Sequence, residues 1–292
     1  EERRLTQAEN ARLAKLAKAI PLSLRGYALK NASDLSSYEI TTADATKNQT
    51  FEPPYSRKQS HLFRGERRAD WSGPLRSVLA ELKCNAAARA YIRAVKEISN
   101  LSEALLPKEQ LWVVLREPYA GELIVPRKMR GGHRVHVNPF ALSSTKRQVR
   151  VSSNFLSYRE CKATDVASDL DRETATRLIS AFLLSSFGQL QFEMEGYNRE
   201  GLLAMEEHTL RKVKIFDPRW IDPPKRAEIL DAVRMLPYPL DNSKLHLEQP
   251  KRNRLDSLFA AEIARRNPAL DPAGLLAEVQ EALDERLLSR QP

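Results

Sequence analysis

Apolar residues recur with helical spacing at Leu5, Ala8, Leu13, Leu16, Ala17 and Ile20, which predicts an opening helix over 5–20 that stops before Pro21. From about 31 to 60 the pattern dissolves among Ser, Thr, Asn and Asp and the pair Pro53-Pro54, so loops with at most short strands are expected. Helix-compatible sequence returns over 74–106, with Ala86-Ala87-Ala88 and a face formed by Ala90, Tyr91, Ala94 and Ile98.

After Pro107 the pattern changes. Leu111-Trp112-Val113-Val114-Leu115 and Leu123-Ile124-Val125 read as buried strands, and Arg134-Val135-His136-Val137 and Gln148-Val149-Arg150-Val151 alternate as half-buried strands do. A β-rich unit is therefore expected between about 110 and 160. A helix is predicted from Asp171 to Gln191, with Leu178, Ile179, Phe182, Leu183 and Phe187 on its apolar face and Asp169 or Asp171 available as its cap. Three more helices are predicted at 223–235, introduced by Pro223-Pro224, at 253–266 and at 271–288. The pattern describes an α+β protein: a mainly helical region 1–106, then 107–292 with a β-rich central unit and a helical C-terminal part.

The composition, 42% hydrophobic and 29% charged over 292 residues, is that of a soluble globular chain with enough material for a sizeable core. Cys84 and Cys161 are far apart and lack a partner motif, so neither a disulfide framework nor a zinc site is expected. No run approaches the ~20 apolar residues of a membrane span. The first residues lead into an amphipathic pattern without a signal-peptide core, so a cytoplasmic location without membrane partners is expected.

Charge sharpens this picture. Lys and Arg exceed Asp and Glu by 47 to 38, a formal net charge of +9 that favours acidic partners such as nucleic acid. Between Leu123 and Arg159 there is no Asp or Glu, while Arg127, Lys128, Arg130, Arg134, Lys146, Arg147, Arg150 and Arg159 supply eight cations. On strands and loops, such residues displace counterions from phosphates, and a forked Arg also pairs with the acceptor edge of guanine. Gln148 adds an amide suited to base edges, and Gly131-Gly132 would let a loop approach a groove closely. The alternative is a solvated sheet face whose acidic partners come from elsewhere in the fold. His133 and His136 have no third ligand at suitable spacing, so no metal site is expected.

Three segments then act together. Leu178 to Glu193 contains Ser185-Ser186 and Gln189, and is followed by Leu210-Arg211-Lys212-Val213-Lys214-Ile215-Phe216-Asp217-Pro218. Gly121 to Arg127 ends in Pro-Arg, and Arg254-Leu255-Asp256-Ser257-Leu258 opens a closing helix. Their order and spacing over roughly 107–266 resemble the target-recognition region of N6-adenine DNA methyltransferases and of the restriction enzymes fused to them. In that family a helix reading L-N-S-S-x-x-Q precedes a loop and a short strand, and a helix reading R-x-x-L-D-x-L-V closes the region. This chain departs from the pattern at Leu184, where the family has Asn, and over its first hundred residues.

The resemblance implies sequence-specific recognition of double-stranded DNA in a restriction–modification or phage-defence system. It also implies a catalytic methyltransferase or restriction subunit or domain that carries S-adenosylmethionine. No cofactor is expected in this chain, which has ten glycines and no Gly-x-Gly turn. Glu52-Pro53-Pro54-Tyr55 has Glu where a base-holding loop has Asp or Asn, and Asp222-Pro223-Pro224-Lys225 lacks the aromatic and sits at a helix start. In the recognition reading, Lys128, Lys146 and Arg147 meet phosphates while Arg130, Arg134 or Gln148 read bases. Two rivals are a metal-dependent endonuclease using Asp70 and Glu81-Leu82-Lys83, and an adaptor whose basic face meets an acidic protein.

Overall fold

The computed structural model describes residues 6–20, 25–51, 86–87, 90, 94, 120–130, 132–143, 149–152, 154–158, 170–199, 201–241 and 249–289. The chain divides into two units, one of residues 1–27 and 49–118, the other of residues 28–48 and 119–292. The boundary at 118/119 lies twelve residues beyond the 106/107 division drawn from the sequence pattern, and 28–48 joins the second unit.

In the first unit, helix α1 (Gln7–Ala19) fills the predicted span. Its start is set by a reciprocal cap: the Thr6 N–H donates to Glu9 Oε2 at 2.8 Å and the Glu9 N–H to Thr6 Oγ1 at 3.2 Å. Residues 86, 87, 90 and 94 are helical, with Ala94 buried, inside the predicted 74–106 span. The remainder of that span, the strand expected at Leu111–Leu115 and the Pro53-Pro54 loop lie outside the described residues. Strands β1 (Arg25–Leu29) and β2 (Asn48–Phe51) lie where the chain passes between the units, and a six-residue helix α2 (Thr42–Lys47) stands where only loop and strand were expected.

The second unit is α+β. Its first sheet has the order β5-β3-β7, formed by β3 (Leu123–Pro126), β5 (His136–Val137) and β7 (Phe155–Tyr158). Pairing is antiparallel, Leu123 opposite Val137 and Tyr158, Val125 opposite Leu156. All four residues of β3 are buried, which explains a continuous apolar run in place of alternation. The second sheet has the order β4-β9-β8, formed by β4 (Lys128–Arg130), β8 (Tyr197–Arg199) and β9 (Leu202–Ala204). A one-turn helix α3 (Pro139–Leu142), capped by the Asn138 side chain, and strand β6 (Val149–Val151) complete the β-rich segment.

The helices enclose the core. The single helix predicted from Asp171 is two, α4 (Arg172–Leu184) and α5 (Ser186–Glu195). Asp171 caps α4 as expected, its carboxylate accepting from the Thr174 N–H at 2.9 Å. Ser185 ends α4 and starts α5: its Oγ donates to the Phe182 carbonyl at 2.6 Å and accepts from the Gly188 N–H at 3.4 Å. The strand implied for Leu210–Pro218 is absent; after the short helix α6 (Glu207–Leu210) the backbone is irregular. Gln191 takes the place of a neighbouring strand there, accepting from the Lys214 N–H at 2.6 Å and donating to the Lys214 carbonyl at 3.0 Å.

Helices α7 (Pro223–Arg234), α8 (Pro250–Arg266) and α9 (Pro272–Ser289) follow the three predicted spans. Each begins with Pro, where the missing N–H would have no intrahelical partner. Helix α9 packs on α5 and α8, α7 on α8 and α4, and α4 on α5. Together they bury Phe182, Phe187, Phe192, Ile229, Leu255 and Phe259 in one core with Val125, Met129, Val137 and Leu203 of the sheets. Among the described residues, no helix is long and apolar enough to cross a membrane.

Candidate nucleic-acid interface

The chain leaves the buried sheet and enters the second one at a single residue. β3 ends at Pro126 and β4 begins at Lys128, and Arg127 between them is fixed to both sheets. Its N–H donates to the Asn154 carbonyl at 2.8 Å, beside β7, and its carbonyl accepts the Met205 N–H at 2.8 Å, beside β9. Met129 is fully buried, so the alternation of a strand turns Lys128 and Arg130 to the exterior.

The register carries that face across the sheet. Lys128 stands opposite Ala204, and Ala204 opposite Tyr197; Arg130 stands opposite Leu202, and Leu202 opposite Arg199. Opposed residues share a face, so the exposed Lys128 and Arg130 side of β4 continues onto the buried Ala204 and the partly exposed Leu202 of β9, while Met129 and Leu203 are buried on the other face. Tyr197 is 46% exposed, and its hydroxyl lies 2.9 Å from His208 Nε2. The β8–β9 hairpin turns through Gly201, whose φ of 74° favours glycine. Gly201 ahead of the apolar run Leu202-Leu203-Ala204 was the only local sequence signal for this hairpin, and no strand was predicted there.

The other sequence candidates fall in different environments. The Arg127 guanidinium is paired with Glu206 at 2.6 Å. Arg134 is partly buried, its guanidinium 5.9 Å from the centre of the Tyr238 ring. Arg150 was expected on a half-buried strand, yet it is only 5% exposed, between the buried Val149 and Val151, and does not share the outer face. Lys146, Arg147 and Gln148 lie outside the described residues, as do the nuclease candidates Asp70, Glu81 and Lys83. Gly132 has an internal reason for its missing side chain: a Cβ there would lie 2.8 Å from Pro239 Cβ and 2.9 Å from the Leu240 carbonyl. It is buried, so it does not lend a loop to a groove.

Both histidines are core residues. His133 Nε2 lies 2.7 Å from the Leu183 carbonyl, with its ring edge-on to Phe192. The neutral His136 ring donates from Nδ1 to the Ser37 carbonyl at 2.9 Å. Burial pulls the His136 pKa down to about 4, against the opposing influence of that carbonyl.

The residues that carried the family resemblance are structural too. Ser185, Ser186 and Gln189 are buried at the α4–α5 break, and Leu184, where the family has Asn, lies in the apolar core. Asp256 on α8 accepts two hydrogen bonds from Ser186. At the start of α7, the Asp222 N–H is held by Glu262 at 3.0 Å, which fits the reading of Asp222-Pro223-Pro224 as a helix start.

Residues 114–236 match the family model described as the specificity domain of the restriction endonuclease BpuSI. The middle of the chain resembles a restriction-enzyme specificity domain. That match spans β3 to β9, α4, α5 and α7, and so contains the whole β4-β9-β8 sheet. No curated protein matches the chain. Among solved structures, the type IIG restriction endonuclease BpuSI shares the fold at a TM-score of 0.58 and 17% identity, the likeness covering 98% of this chain and 28% of that one. The chain thus corresponds to little more than a quarter of that enzyme's length. The resemblance drawn from Ser185-Ser186, Gln189 and the Pro126-Arg127 strand end holds for this segment.

Proposed function

We propose that this chain reads the sequence of double-stranded DNA as the specificity part of a restriction–modification system. The observation that carries the reading is the coincidence of the specificity-domain match at 114–236 with the acid-free basic segment 123–159. In this reading Lys128, Lys146 and Arg147 set position on phosphates, and Arg130 and Gln148 meet base edges. Arg134, held against Tyr238, and Arg150, in the interior, do not contribute direct contacts. Methyl transfer and its S-adenosylmethionine belong to another chain or domain, because this sequence has no glycine turn to receive the cofactor.

The test is binding of the purified chain to a randomised duplex pool by fluorescence anisotropy, titrated over salt with and without magnesium, with sequencing of the retained DNA. Binding that weakens steeply with salt and yields a short consensus supports the reading. Cleavage in magnesium that is lost in Glu81→Ala would add a nuclease. Absence of binding at low salt would sink the reading and favour a protein partner for the basic segment.

A further inference from the structure

Two buried hydroxyls of the second unit are left over by the fold. Thr176 and Ser180 stand one turn apart on α4, and Thr176 Oγ1 donates to the Arg172 carbonyl at 2.8 Å, a usual outlet for a hydroxyl inside a helix. Ser180 is only 2% exposed and makes no such bond; among the described residues its Oγ has no partner. The same contrast divides two tyrosines whose rings meet edge-on at 5.0 Å. Tyr38 donates to the Pro237 carbonyl at 2.7 Å, whereas the buried Tyr238 hydroxyl has no partner among the described residues. Burial pushes the Tyr238 hydroxyl up to about 12, so it stays protonated and keeps its donor. A buried polar group without a partner loses its hydration for nothing, and two in one place call for a ligand that supplies what is missing.

Both residues border one cavity. It has a volume of about 280 Å³ and lies between α4, α7 and residues 37–39, with Tyr38, Val137, Leu230, Val233 and Leu236 as aromatic and aliphatic walls. Apolar walls with a few polar groups are the make-up of small-molecule sites, which begin at roughly 300 Å³. The charges at its edge are already matched, Arg177 by Glu39 and Glu173 and Arg234 by Asp231. A charged occupant would lose hydration that these walls do not replace, and a hydrocarbon would leave both hydroxyls unpaired. The chemistry that remains is a small uncharged ring with a donor and an acceptor on its edge, as nucleobases have.

We propose that this cavity binds a small uncharged heteroaromatic ring, lodged against Tyr38 and the aliphatic walls, with the Ser180 and Tyr238 hydroxyls meeting its polar edge. Apart from Val137 its walls lie outside the segment 123–159, so the site stands whether or not the basic segment binds duplex.

The experiment measures the thermal unfolding midpoint of the full chain with adenosine, with cytidine, with p-xylene as a ring without a polar edge, and with no addition. A nucleoside is expected to raise the midpoint as its concentration rises, and p-xylene to leave it unchanged. Calorimetric titration of the stabilising nucleoside is expected to show affinity about tenfold weaker in Ser180→Ala and in Tyr238→Phe. Each variant loses a hydroxyl that has no protein partner, so its unliganded midpoint is expected to equal or exceed that of wild type. The site is overturned if neither nucleoside shifts the midpoint, if p-xylene shifts it equally, if both variants bind as wild type does, or if their unliganded midpoints fall. Repeating the titration with a short duplex present separates two sources of the ring: displacement of the nucleoside assigns it to a base of DNA, and undisturbed binding to a free ligand.

Discussion

Ser186 gives both of its donors to one carboxylate: its N–H reaches Asp256 Oδ1 at 2.7 Å and its Oγ reaches Asp256 Oδ2 at 2.7 Å. Both residues are fully buried, and the carboxylate sits at the start of α5, where unpaired N–H groups favour a negative charge. Arg252, one turn earlier on α8 and also buried, is attracted to the same carboxylate, while burial pulls its pKa below the ordinary guanidinium value. Replacing Asp256 by Ala strands two donors and leaves a buried cation without that partner. Asp256→Ala is expected to lower stability by about 3–5 kcal/mol, and Asp256→Asn by less because one acceptor remains. Urea unfolding measures both; equal midpoints for Asp256→Ala and wild type would remove the anchor from the account.

Gly188 lies where α5 folds back on the last turn of α4. A Cβ at this position would come within 2.5 Å of Leu183 Cα and of the Phe182 carbonyl oxygen, backbone atoms that move only if the two helices part. Gly188→Ala is expected to cost about 1–3 kcal/mol in urea unfolding despite the better helix propensity of Ala. A stabilised variant would show that the helices already part freely.

His136 gives the fold a defined acid sensitivity. Its pKa is about 4 in the folded chain against the ordinary imidazole value of 6.5, so the unfolded chain takes up the proton first as pH falls. Its contribution is fully present above about 6.5, declines between about 6.5 and 4, and amounts to roughly 3 kcal/mol across that window. His136→Asn removes the titration and leaves an N–H for the Ser37 carbonyl. Unfolding free energies measured across this window should therefore fall less steeply with acid in the variant; identical slopes would mean that His136 does not titrate as described.

Glu206 restrains the one cation of the β3–β4 bend. Both members of the Arg127–Glu206 pair have solvent access, so Glu206→Gln should change stability by less than about 1 kcal/mol. If Lys128 and Arg130 meet DNA, the same substitution frees the Arg127 guanidinium near the phosphates and should tighten duplex binding a few-fold at low salt. Weaker binding would place Glu206 itself in the contact.

The sequence pattern was most legible where one local rule decides the outcome. Leu123-Ile124-Val125 has no polar alternative face, Asp171 stands in front of an amphipathic run, and Pro223, Pro250 and Pro272 each open a helix. It was least legible where a distant residue decides. The Leu and Phe spacing runs through Ser185 unbroken, and only Asp256, 70 residues away from Ser186, shows why the helix stops and restarts. Arg150 alternates correctly with Val149 and Val151, but both faces of that strand are covered. The β4-β9-β8 sheet was divided between two stretches of chain, and only the register brings Lys128 and Arg130 beside Ala204 and Leu202.

The bend at Arg127 has no slack, since its N–H and its carbonyl are each committed to a different sheet. Because side chains alternate along a strand, inserting or deleting one residue there would invert β4, sending Lys128 and Arg130 into the apolar core and Met129 outward. Point substitutions on the outer face can therefore vary what it touches, whereas a change of length at residue 127 would destroy the face and the core together.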